Sequence, residues 1–311
     1  MTGPDDTTPL LSIIVVSYNT REMTLECLRS VYAETTLPFE LIVIDNASED
    51  GSAEAIAAEF PQARMMAETV NHGFALANNV AIKQARGEYV LLLNPDTLVL
   101  DAALDRLHAF AQTRPKAGIW GGRTVFADHS LNPYSVWQRM TIWNIFCRTS
   151  GLARFFRNSP LFNAEAYGGW DRSDVREVDI VTGCLFLMRR ADWEALGGFD
   201  TTYIMYGEEA DLCLRARDQL DARPTMTPDS TIVHYGGASE KVLSDKMVRL
   251  LKAKSELIKR HFPSWQRPVA RALFLAWPFS RSLFARLIGR SGTSSWPDIW
   301  ARRNEWRNGF S

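Results

Sequence analysis

The segment Tyr89–Leu93, with Asn94, Pro95 and Asp96 directly behind it, constrains the fold of this chain more than any other. Five consecutive apolar residues are typical of a strand that is buried on both faces. Pro95 cannot donate a hydrogen bond to a neighbouring strand and restricts the residue before it, so strand pairing should end here. Asp96 then lies at the carboxyl end of a central strand, where open α/β sheets bind ligands. Its carboxylate suits a divalent cation that carries a diphosphate, although it could instead cap a helix starting near Leu100.

Apolar strands alternate with amphipathic helices through the first 120 residues. We predict strands at Leu11–Ser17, Phe39–Asp45, Ala63–Ala67, Tyr89–Leu93 and Ala117–Trp120, and helices over about 19–33, 52–60, 74–85 and 101–113. A capping box formed by Asn19 and Glu22 should open the first helix, and Gly87 should close the third. Short connections between strands and helices predict an α/β fold with a mostly parallel sheet flanked by helices.

The second half of the chain has a weaker pattern and a different charge. Residues 121–174 lose the periodicity and gather aromatic side chains, which we interpret as long loops that bind substrate. Beyond them we predict strands at Val178–Leu187 and Ser230–His234, and helices at Ala191–Leu196 and Glu208–Leu220. From Lys241 to Ser311 the chain is helical and carries 15 Lys and Arg against 4 Asp and Glu, so this basic tail should have a task of its own.

Composition narrows the class of protein further. With 311 residues, 46% of them hydrophobic, the chain can form one large domain with an appendage. The four cysteines are widely spaced without a Cys-x-x-Cys pair, which indicates neither a zinc site nor disulfides and favours a reducing, cytoplasmic compartment. The polar leader before Leu11 lacks the features of a signal peptide. The apolar run Ala272–Phe279 is far shorter than the ~20 residues that span a bilayer.

Polar side chains follow three predicted strands where each strand ends. They are Ser17, Tyr18 and Asn19 at the end of the first strand, Asp45 and Asn46 at the end of the second, and Asn94 to Asp96 after the fourth. Because the carboxyl ends of parallel strands share one edge of the sheet, we expect these residues to line one crevice. Neither a G-x-G-x-x-G fingerprint nor a P-loop is present, which argues against NAD-dependent oxidoreductases and P-loop nucleotide hydrolases.

Two further groups of residues could carry chemistry. Glu208, Glu209 and Asp211 crowd the start of a predicted helix, where the helix dipole favours negative charge and is a sufficient structural reason for most of them. They point in different directions, so at most one or two face a common site, and one of these could deprotonate an acceptor hydroxyl. His234 ends a predicted strand and is either structural or a metal ligand beside a carboxylate.

From Leu11 to about Ser239 the chain resembles the family 2 glycosyltransferases of the GT-A fold, and within them the bacterial rhamnosyltransferases that build O-antigen or cell-wall glycans. The matching motifs are SIIVVSYN (Ser12–Asn19), VIDNASEDGS (Val43–Ser52), NHGFALANN (Asn71–Asn79), GEYVLLLNPDT (Gly87–Thr97), VTGCLFLMRR (Val181–Arg190), GGFD (Gly197–Asp200), GEEADLCLR (Gly207–Arg215) and HYGGAS (His234–Ser239). Their order and spacing agree over roughly three quarters of the chain. The resemblance implies a catalytic domain over residues 1–240, with a nucleotide-binding half at about 10–120 and an acceptor half at about 121–240, followed by a basic amphipathic helical tail over 241–311.

The resemblance also implies a role for each candidate residue. The implied nucleotide-sugar contacts are Ser17, Tyr18, Asn19 and Asp45 for base and ribose, and Asn71, Gly73 and Asn78 along the pocket. Asp96 stands at the last position of the Asp-x-Asp metal motif, and His234 at the position of an additional ligand. Glu209 occupies the place of the catalytic base. Two positions depart from the pattern: Asn94 replaces the first Asp of the motif, and Glu209 stands where Asp is usual, which leaves Glu208 as the alternative base.

The implied activity is an inverting glycosyl transfer that depends on Mg²⁺ or Mn²⁺. The donor would be a dTDP- or UDP-linked sugar, with dTDP-rhamnose expected first, and the acceptor a glycan or a lipid-linked saccharide. A sugar-1-phosphate nucleotidyltransferase is the main enzymatic alternative, but it normally has a Gly-rich loop and a Lys where this chain has Ser17, Tyr18 and Asn19. A scaffold that binds a sugar nucleotide without catalysis is the other alternative, suggested by Asn94 and Glu209.

The basic tail is predicted to form amphipathic helices at Lys246–Arg260 and Arg267–Arg290. Basic helices that carry Trp and Phe suit an anionic membrane surface, which predicts peripheral attachment to the cytoplasmic face of the inner membrane and release on deletion after about Ser244. Alternatively the helices dock on the catalytic domain or on a partner subunit, as in a homo-oligomer. No motif supports nucleic-acid binding.

Overall fold

The computed structural model of the chain describes residues 9–236, 243–289 and 294–310. The first eight residues of the leader, the end of the motif at Ser239 and the predicted start of the tail at Lys241 lie outside these ranges. The strands are β1 (Leu11–Ser17), β2 (Phe39–Asp45), β3 (Arg64–Ala67), β4 (Tyr89–Leu93), β5 (Thr97–Val99), β6 (Ile119–Val125), β7 (Leu131–Asn132), β8 (Val136–Trp137), β9 (Arg176–Glu177), β10 (Ile180–Val181), β11 (Leu185–Arg189) and β12 (Thr225–His234). The helices are α1 (Arg21–Glu34), α2 (Ser52–Glu59), α3 (Gly73–Ile82), α4 (Ala103–Thr113), α5 (Ile142–Ser150), α6 (Leu152–Phe155), α7 (Arg190–Leu196), α8 (Glu208–Leu220), α9 (Leu243–His261), α10 (Arg267–Leu287), α11 (Trp296–Ala301) and α12 (Arg303–Trp306).

One twisted sheet organises the described residues, in the strand order β3-β2-β1-β4-β11-β6-β12-β5. The first four strands of this order are parallel, as are β6 and β12, while β11 and β5 are antiparallel to their neighbours. Both faces of the sheet are covered: Ile14 belongs to the apolar core on one face and Ile13 and Val15 to the core on the other. The predicted α/β fold with a mostly parallel sheet is therefore confirmed.

Several predicted boundaries are wrong, each for a local reason. Helix α4 begins at Ala103, so Asp96 does not cap it. Residues 97–99 instead form β5, which pairs with the end of β12. Helix α3 ends at Ile82, so Gly87 does not close it; a Cβ on Gly87 would lie 2.6 Å from the Ser12 amide nitrogen, and the glycine is needed for this close approach. The region 121–174 is less irregular than predicted, because it contains α5 and α6.

Helices α9 and α10 of the tail bury part of their apolar side chains in a shared core. A third core joins Val248, Leu251 and Ile258 of α9 to Phe274 and Trp277 of α10, and it also includes residues of α5, α11 and α12. Ala253 and Leu257 of α9 reach further, into the core beneath the central sheet. Helix α9 is thus docked on the rest of the chain, which is the alternative to membrane attachment that the sequence analysis left open. Among the helices that the structure describes, none combines the length and the apolarity that crossing a bilayer requires.

Candidate active site

The loops that follow β1 and β2 are tied to each other by hydrogen bonds at the edge of the parallel half of the sheet. The Asn19 amide donates to Ser48 Oγ at 2.8 Å, and the Glu49 amide donates to Asn19 Oδ1 at 2.8 Å. The Asn46 amide donates to the Ser17 carbonyl, also at 2.8 Å. Because Asn19 uses its side chain in this way, the predicted capping box is wrong, and Thr20 precedes the first residue of α1.

Asp45 presents an unused acceptor in this loop pair. Its Oδ2 accepts a 2.9 Å hydrogen bond from the Ser48 amide, but its buried Oδ1 has no partner among the described residues. A buried carboxylate oxygen without a donor is costly, so a ligand N–H or O–H that reached it would be stabilised. Tyr18 is partly exposed beside this loop, whereas the Ser17 hydroxyl is buried and bonds to Thr20 and Thr24. Ser17 therefore offers its hydroxyl to helix α1 rather than to a ligand.

Asn46 lies at this edge, as its position directly after Asp45 predicts. Its side chain donates to Asn71 Oδ1 at 2.9 Å and accepts from the His72 amide at 2.8 Å, so it fixes the turn before α3. This structural role could not be predicted from the strand-end position alone. Gly73 has φ +73°, and a Cβ there would lie 2.5 Å from the Ile204 carbonyl oxygen, so this turn touches the loop that leads into α8.

Asn78 does not line the pocket in the way predicted from the resemblance. Its amide is buried and donates to the Phe74 carbonyl of its own helix at 2.9 Å. Its neighbour Asn79 makes the longer connection, because its side chain accepts from the Phe199 amide at 2.9 Å and donates to the Phe199 carbonyl at 2.7 Å. Asn79 thus attaches the GGFD loop to the nucleotide half of the chain.

Asn94, Asp96 and His234 meet where β4 and β12 end and β5 begins. His234 Nε2 lies 3.4 Å from Asp96 Oδ1 and 3.4 Å from Asn94 Nδ2, and Asp96 Oδ2 accepts a 3.0 Å hydrogen bond from the Gly236 amide. Burial raises the pKa of Asp96, but His234 outweighs burial and the pKa is lowered. Burial lowers the pKa of His234, but Cys184 and Asp96 outweigh it and raise the pKa to about 10. Asp96 is therefore ionised at neutral pH, as a metal ligand must be.

These donors suit a hard divalent cation that brings its own oxygen ligands. Within residues 9–236, 243–289 and 294–310, no three His, Cys, Asp or Glu side chains gather closely enough to enclose a cation by themselves. Mg²⁺ in nucleotide enzymes is commonly held by one or two carboxylates, with phosphate and water oxygens completing its shell. One carboxylate oxygen facing an imidazole nitrogen fits that mode of binding, provided that the cation displaces the proton which the raised pKa keeps on His234.

Glu208 and Glu209 open helix α8 with their carboxylates largely withdrawn from water. Glu208 is buried and Glu209 half-buried, and Oε2 of each is buried without a hydrogen-bond partner in the described part of the chain. Burial raises the pKa of Glu208 well above its usual value, and the nearby Glu209 charge raises it further. Burial also raises the pKa of Glu209. The charge on Glu209 opposes ionisation of Glu208, so the pKa of Glu208 is the more strongly raised of the two.

The start of α8 is held in place from the tail side. Gly207 has φ +89°, and a Cβ on it would lie 3.1 Å both from the Ala253 Cβ of α9 and from the Tyr203 ring. Asp211 is buried and bonds to His261 Nε2 of α9 at 2.8 Å and to Arg215 Nε at 2.7 Å. Asp211 is thus occupied by structural partners. Nothing in the local sequence indicates its contact with His261, fifty residues away.

A short turn of chain joins the Asn94–Asp96 corner to α8. The Asn94 amide donates to the Cys184 carbonyl at 3.3 Å, at the start of β11. On the other side of that turn, the Cys213 thiol of α8 lies 3.8 Å from the Val181 carbonyl of β10. Residues 181–184 therefore connect the candidate metal ligands to the helix that carries Glu208 and Glu209.

A sheet of this order, with an acidic strand end and an acidic helix start joined in this way, defines a glycosyltransferase of the GT-A fold. The chain belongs to glycosyl transferase family 2, whose family model matches residues 12–194. It is 30% identical over 242 residues to the O-antigen biosynthesis protein RfbC of Myxococcus xanthus, across 75% of this chain and 18% of that protein. It is 28% identical over 216 residues to N-acetylglucosaminyl-diphospho-decaprenol L-rhamnosyltransferase of Mycobacterium tuberculosis, across 66% of this chain and 69% of that one.

Solved structures agree on the fold. A mannosyltransferase from Pyrobaculum calidifontis, solved in complex with GDP-Man and Mn²⁺, superposes with a TM-score of 0.56 at 19% identity, over 97% of this chain and 86% of that one. TarS of S. aureus gives a TM-score of 0.52 at 18% identity, over 86% of this chain and 43% of that one. At such identities these likenesses show the GT-A architecture.

Proposed function

We propose that this glycosyltransferase moves rhamnose from dTDP-rhamnose to a hydroxyl of a lipid-linked or glycan acceptor, with inversion at the anomeric carbon. The observation that carries the proposal is Glu209, a half-buried carboxylate of raised pKa at the start of α8, with one oxygen unpartnered among the described residues. The sugar and the acceptor class are supported by the names of the two relatives, one from O-antigen synthesis and one acting on a diphospho-decaprenol acceptor.

The donor would lie across the edge formed by β1, β2 and β4. The unpartnered Asp45 Oδ1 would accept the single ring N–H of a thymine or uracil base, and this supports a dTDP- or UDP-linked donor equally. Asn71 and Gly73 form the turn over that edge. Asp96, with His234 beside it, would hold the Mg²⁺ or Mn²⁺ ion, which when bound neutralises charge on the departing diphosphate.

The chemical step needs one base. Glu209 takes the proton of the acceptor hydroxyl while the hydroxyl oxygen forms its bond to the anomeric carbon from the face opposite the leaving group. The bond from the anomeric carbon to the diphosphate oxygen breaks, and its electron pair leaves with the nucleoside diphosphate. Since one displacement occurs on one face, the configuration inverts. A raised pKa brings Glu209 nearer to neutrality, which suits a base that must accept a proton at physiological pH.

Attachment to the cytoplasmic face of the inner membrane belongs to the same proposal. An acceptor on a lipid diphosphate stays at the bilayer, so the enzyme must work there. The surplus of Lys and Arg in the tail supports attraction to anionic lipids.

Replacing Glu209 with Gln tests the proposal, and Glu208→Gln is the matched control. We expect E209Q to lower kcat by about 10²–10⁴-fold, the usual contribution of a general base, while Mn²⁺-dependent binding of the donor in calorimetry stays near wild type. E208Q should keep most of the activity. Full activity in E209Q would exclude Glu209 as the base, and loss in E208Q alone would transfer that role to Glu208. A thermal-shift screen of nucleotide sugars with Mn²⁺ should place dTDP-rhamnose first.

A further inference from the structure

An apolar surface with only arginine as its charged residue lies where α5, α6 and the end of α10 come together. Its most exposed side chains are Phe155 at 81%, Leu287 at 75% and Phe284 at 59%. Single exposed apolar residues are common on proteins, but a group of large ones in contact marks an interaction site.

The exposed side chains of α6 and α10 lie where the two helices approach each other. A Cβ on Gly151 would lie 3.5 Å from Arg281 Nη2 and 3.6 Å from the Phe155 ring, so α6 and α10 touch here. Phe284 is three residues beyond Arg281 on α10 and therefore lies on the same side of that helix.

The surface continues along the outer side of α5. The ring centroid of Trp143 lies 5.6 Å from that of Phe146 and 6.2 Å from that of Phe162. The ring centroid of Phe162 lies in turn 5.0 Å from that of Phe156. Trp143 Nε1 donates to the Leu161 carbonyl at 2.8 Å and holds this turn against α5. We call the exposed residues of 143–161 and 281–288 together the aromatic–arginine face.

The charge of this face has one sign. Residues 139–162 and 267–289 contain eight arginines and neither Asp nor Glu. Arg154 and Arg157 are exposed beside Phe155 and Phe156, and Arg286 is exposed beside Leu287. A second copy of this chain would bring like charges together across a two-fold interface, which disfavours self-association through this face. Phosphate groups above an apolar layer supply the complementary charge and the complementary apolar surface.

We propose that the aromatic–arginine face is the membrane-docking surface of the enzyme, with Phe155, Phe156, Phe284 and Leu287 entering an anionic bilayer and Arg154, Arg157 and Arg286 binding lipid phosphates. This proposal rests on the membrane attachment proposed above and names the surface that makes it. The apolar residues of α9 that lie in the third core cannot contact lipid, so the docking surface is built from the acceptor half and α10.

This face is connected to the catalytic helix through buried ionic contacts. Arg148 of α5 bonds to Glu165 Oε2 at 2.7 Å, and Lys254 of α9 bonds to the other oxygen of the same carboxylate. The residue before Lys254 is Ala253, which packs against Gly207 at the start of α8. A bilayer bound at the face would therefore have a fixed position relative to Glu208 and Glu209.

Sedimentation of the full chain with vesicles tests the proposal. Wild type should bind vesicles that contain phosphatidylglycerol and bind phosphatidylcholine vesicles much more weakly. Replacing Phe155 and Phe156 with Ser should weaken binding to the anionic vesicles at least about tenfold, because two exposed aromatic side chains no longer enter the bilayer. The matched control is Trp265→Ser, which removes an aromatic side chain of similar exposure, 75%, near the other end of the 21-residue helix α10. It should bind like wild type.

Three results would overturn the proposal: no binding of wild type to anionic vesicles, undiminished binding of the double variant, or equal weakening by the Trp265 control. A wild-type dimer in light scattering that becomes a monomer in the double variant would also overturn it, since the face would then be covered by a second copy. Both double-variant positions are exposed, so the melting temperature should be unchanged. The vesicles contain neither donor nor acceptor, so this assay tests lipid binding alone. Absence of lipid binding would not contradict the proposed glycosyl transfer, which the E209Q variant tests separately.

Discussion

Substituting Gly207 with Ala should show whether the tail helix α9 holds helix α8, which carries the proposed base, in position. Gly207 has φ +89°, and its missing Cβ leaves room for the Ala253 Cβ and the Tyr203 ring, each 3.1 Å from where that Cβ would be. Either α9 or the start of α8 must move by a few tenths of an ångström to admit a methyl group. Glu208 follows directly in the chain.

Gly197→Ala is the matched control for the cost of the backbone conformation. Gly197 has φ +75°, and a Cβ on it would meet nothing within 4 Å. An L-residue in this region of φ costs about 1–2 kcal/mol, and both variants carry that cost. Overpacking adds about 1–3 kcal/mol, which only Gly207→Ala carries. We therefore expect the free energy of unfolding to fall by about 1–3 kcal/mol more in Gly207→Ala than in Gly197→Ala.

Urea unfolding of both variants gives the difference in stability, and kcat gives the effect on the site. A displacement of 1 Å in a catalytic group costs about 100-fold in rate, so a smaller shift should lower kcat by roughly 10-fold in Gly207→Ala. Gly197→Ala should keep kcat near wild type. Equal losses of stability and equal kcat in the two variants would refute the idea that contact with α9 positions Glu208 and Glu209.

Two further predictions concern charge. Asp96→Asn should abolish the Mn²⁺-dependent part of donor binding in calorimetry and lower kcat by more than roughly 100-fold, because a metal supplies several kcal/mol of charge stabilisation. An unchanged Mn²⁺ dependence in this variant would exclude Asp96 as a ligand. Asn94→Asp, which adds a second carboxylate, should tighten Mn²⁺ binding. Burial and Glu209 raise the pKa of Glu208 in the folded chain, so the stability it contributes is complete below the unfolded pKa of about 4.5 and is lost as pH rises toward the folded pKa. Glu208→Gln should remove that fall from urea unfolding measured between pH 4.5 and pH 8, and a fall as steep as in wild type would contradict the assignment.

The bounds of several strands and helices could be predicted from the sequence, where burial against the rest of the fold leaves a regular apolar pattern. Phe39–Asp45, Tyr89–Leu93 and Glu208–Leu220 have the predicted bounds, because each has the uniform or periodic apolar pattern that its burial requires. Helix α5 was missed because its burial does not follow its polar pattern. Asn144 is buried, while the aromatic Trp143 and Phe146 are exposed, so the helix departs from the usual rule of apolar residues inside and polar residues outside.

The candidate site was predictable where its residues follow strand ends and not where they serve distant partners. The strand-end rule identified Asp45, Asn94 and Asp96, and the structure brings His234 to Asp96 across 138 residues of sequence. The same rule could not show that Asn19 bonds to the next loop or that Asn78 bonds within its own helix. The hydrogen-bond partner of each asparagine depends on its side-chain rotamer and on the segment packed opposite it, and local sequence encodes neither.

The basic tail and helix α8 have to be considered as one structural unit. Helix α9 supplies Ala253 to the start of α8, His261 to Asp211, and Lys254 to the buried Glu165 of the acceptor half. Arg148 and Lys254 outweigh the cost of burying Glu165 and lower its pKa to about 2, so loss of Lys254 would leave this buried carboxylate with one cation fewer. A chain cut after about Ser244 would lose all three contacts and expose the third core. Its absence from membranes would then report unfolding rather than lost lipid contacts. Exposed positions such as Phe155 can be changed without that damage, and they separate membrane binding from the integrity of the site.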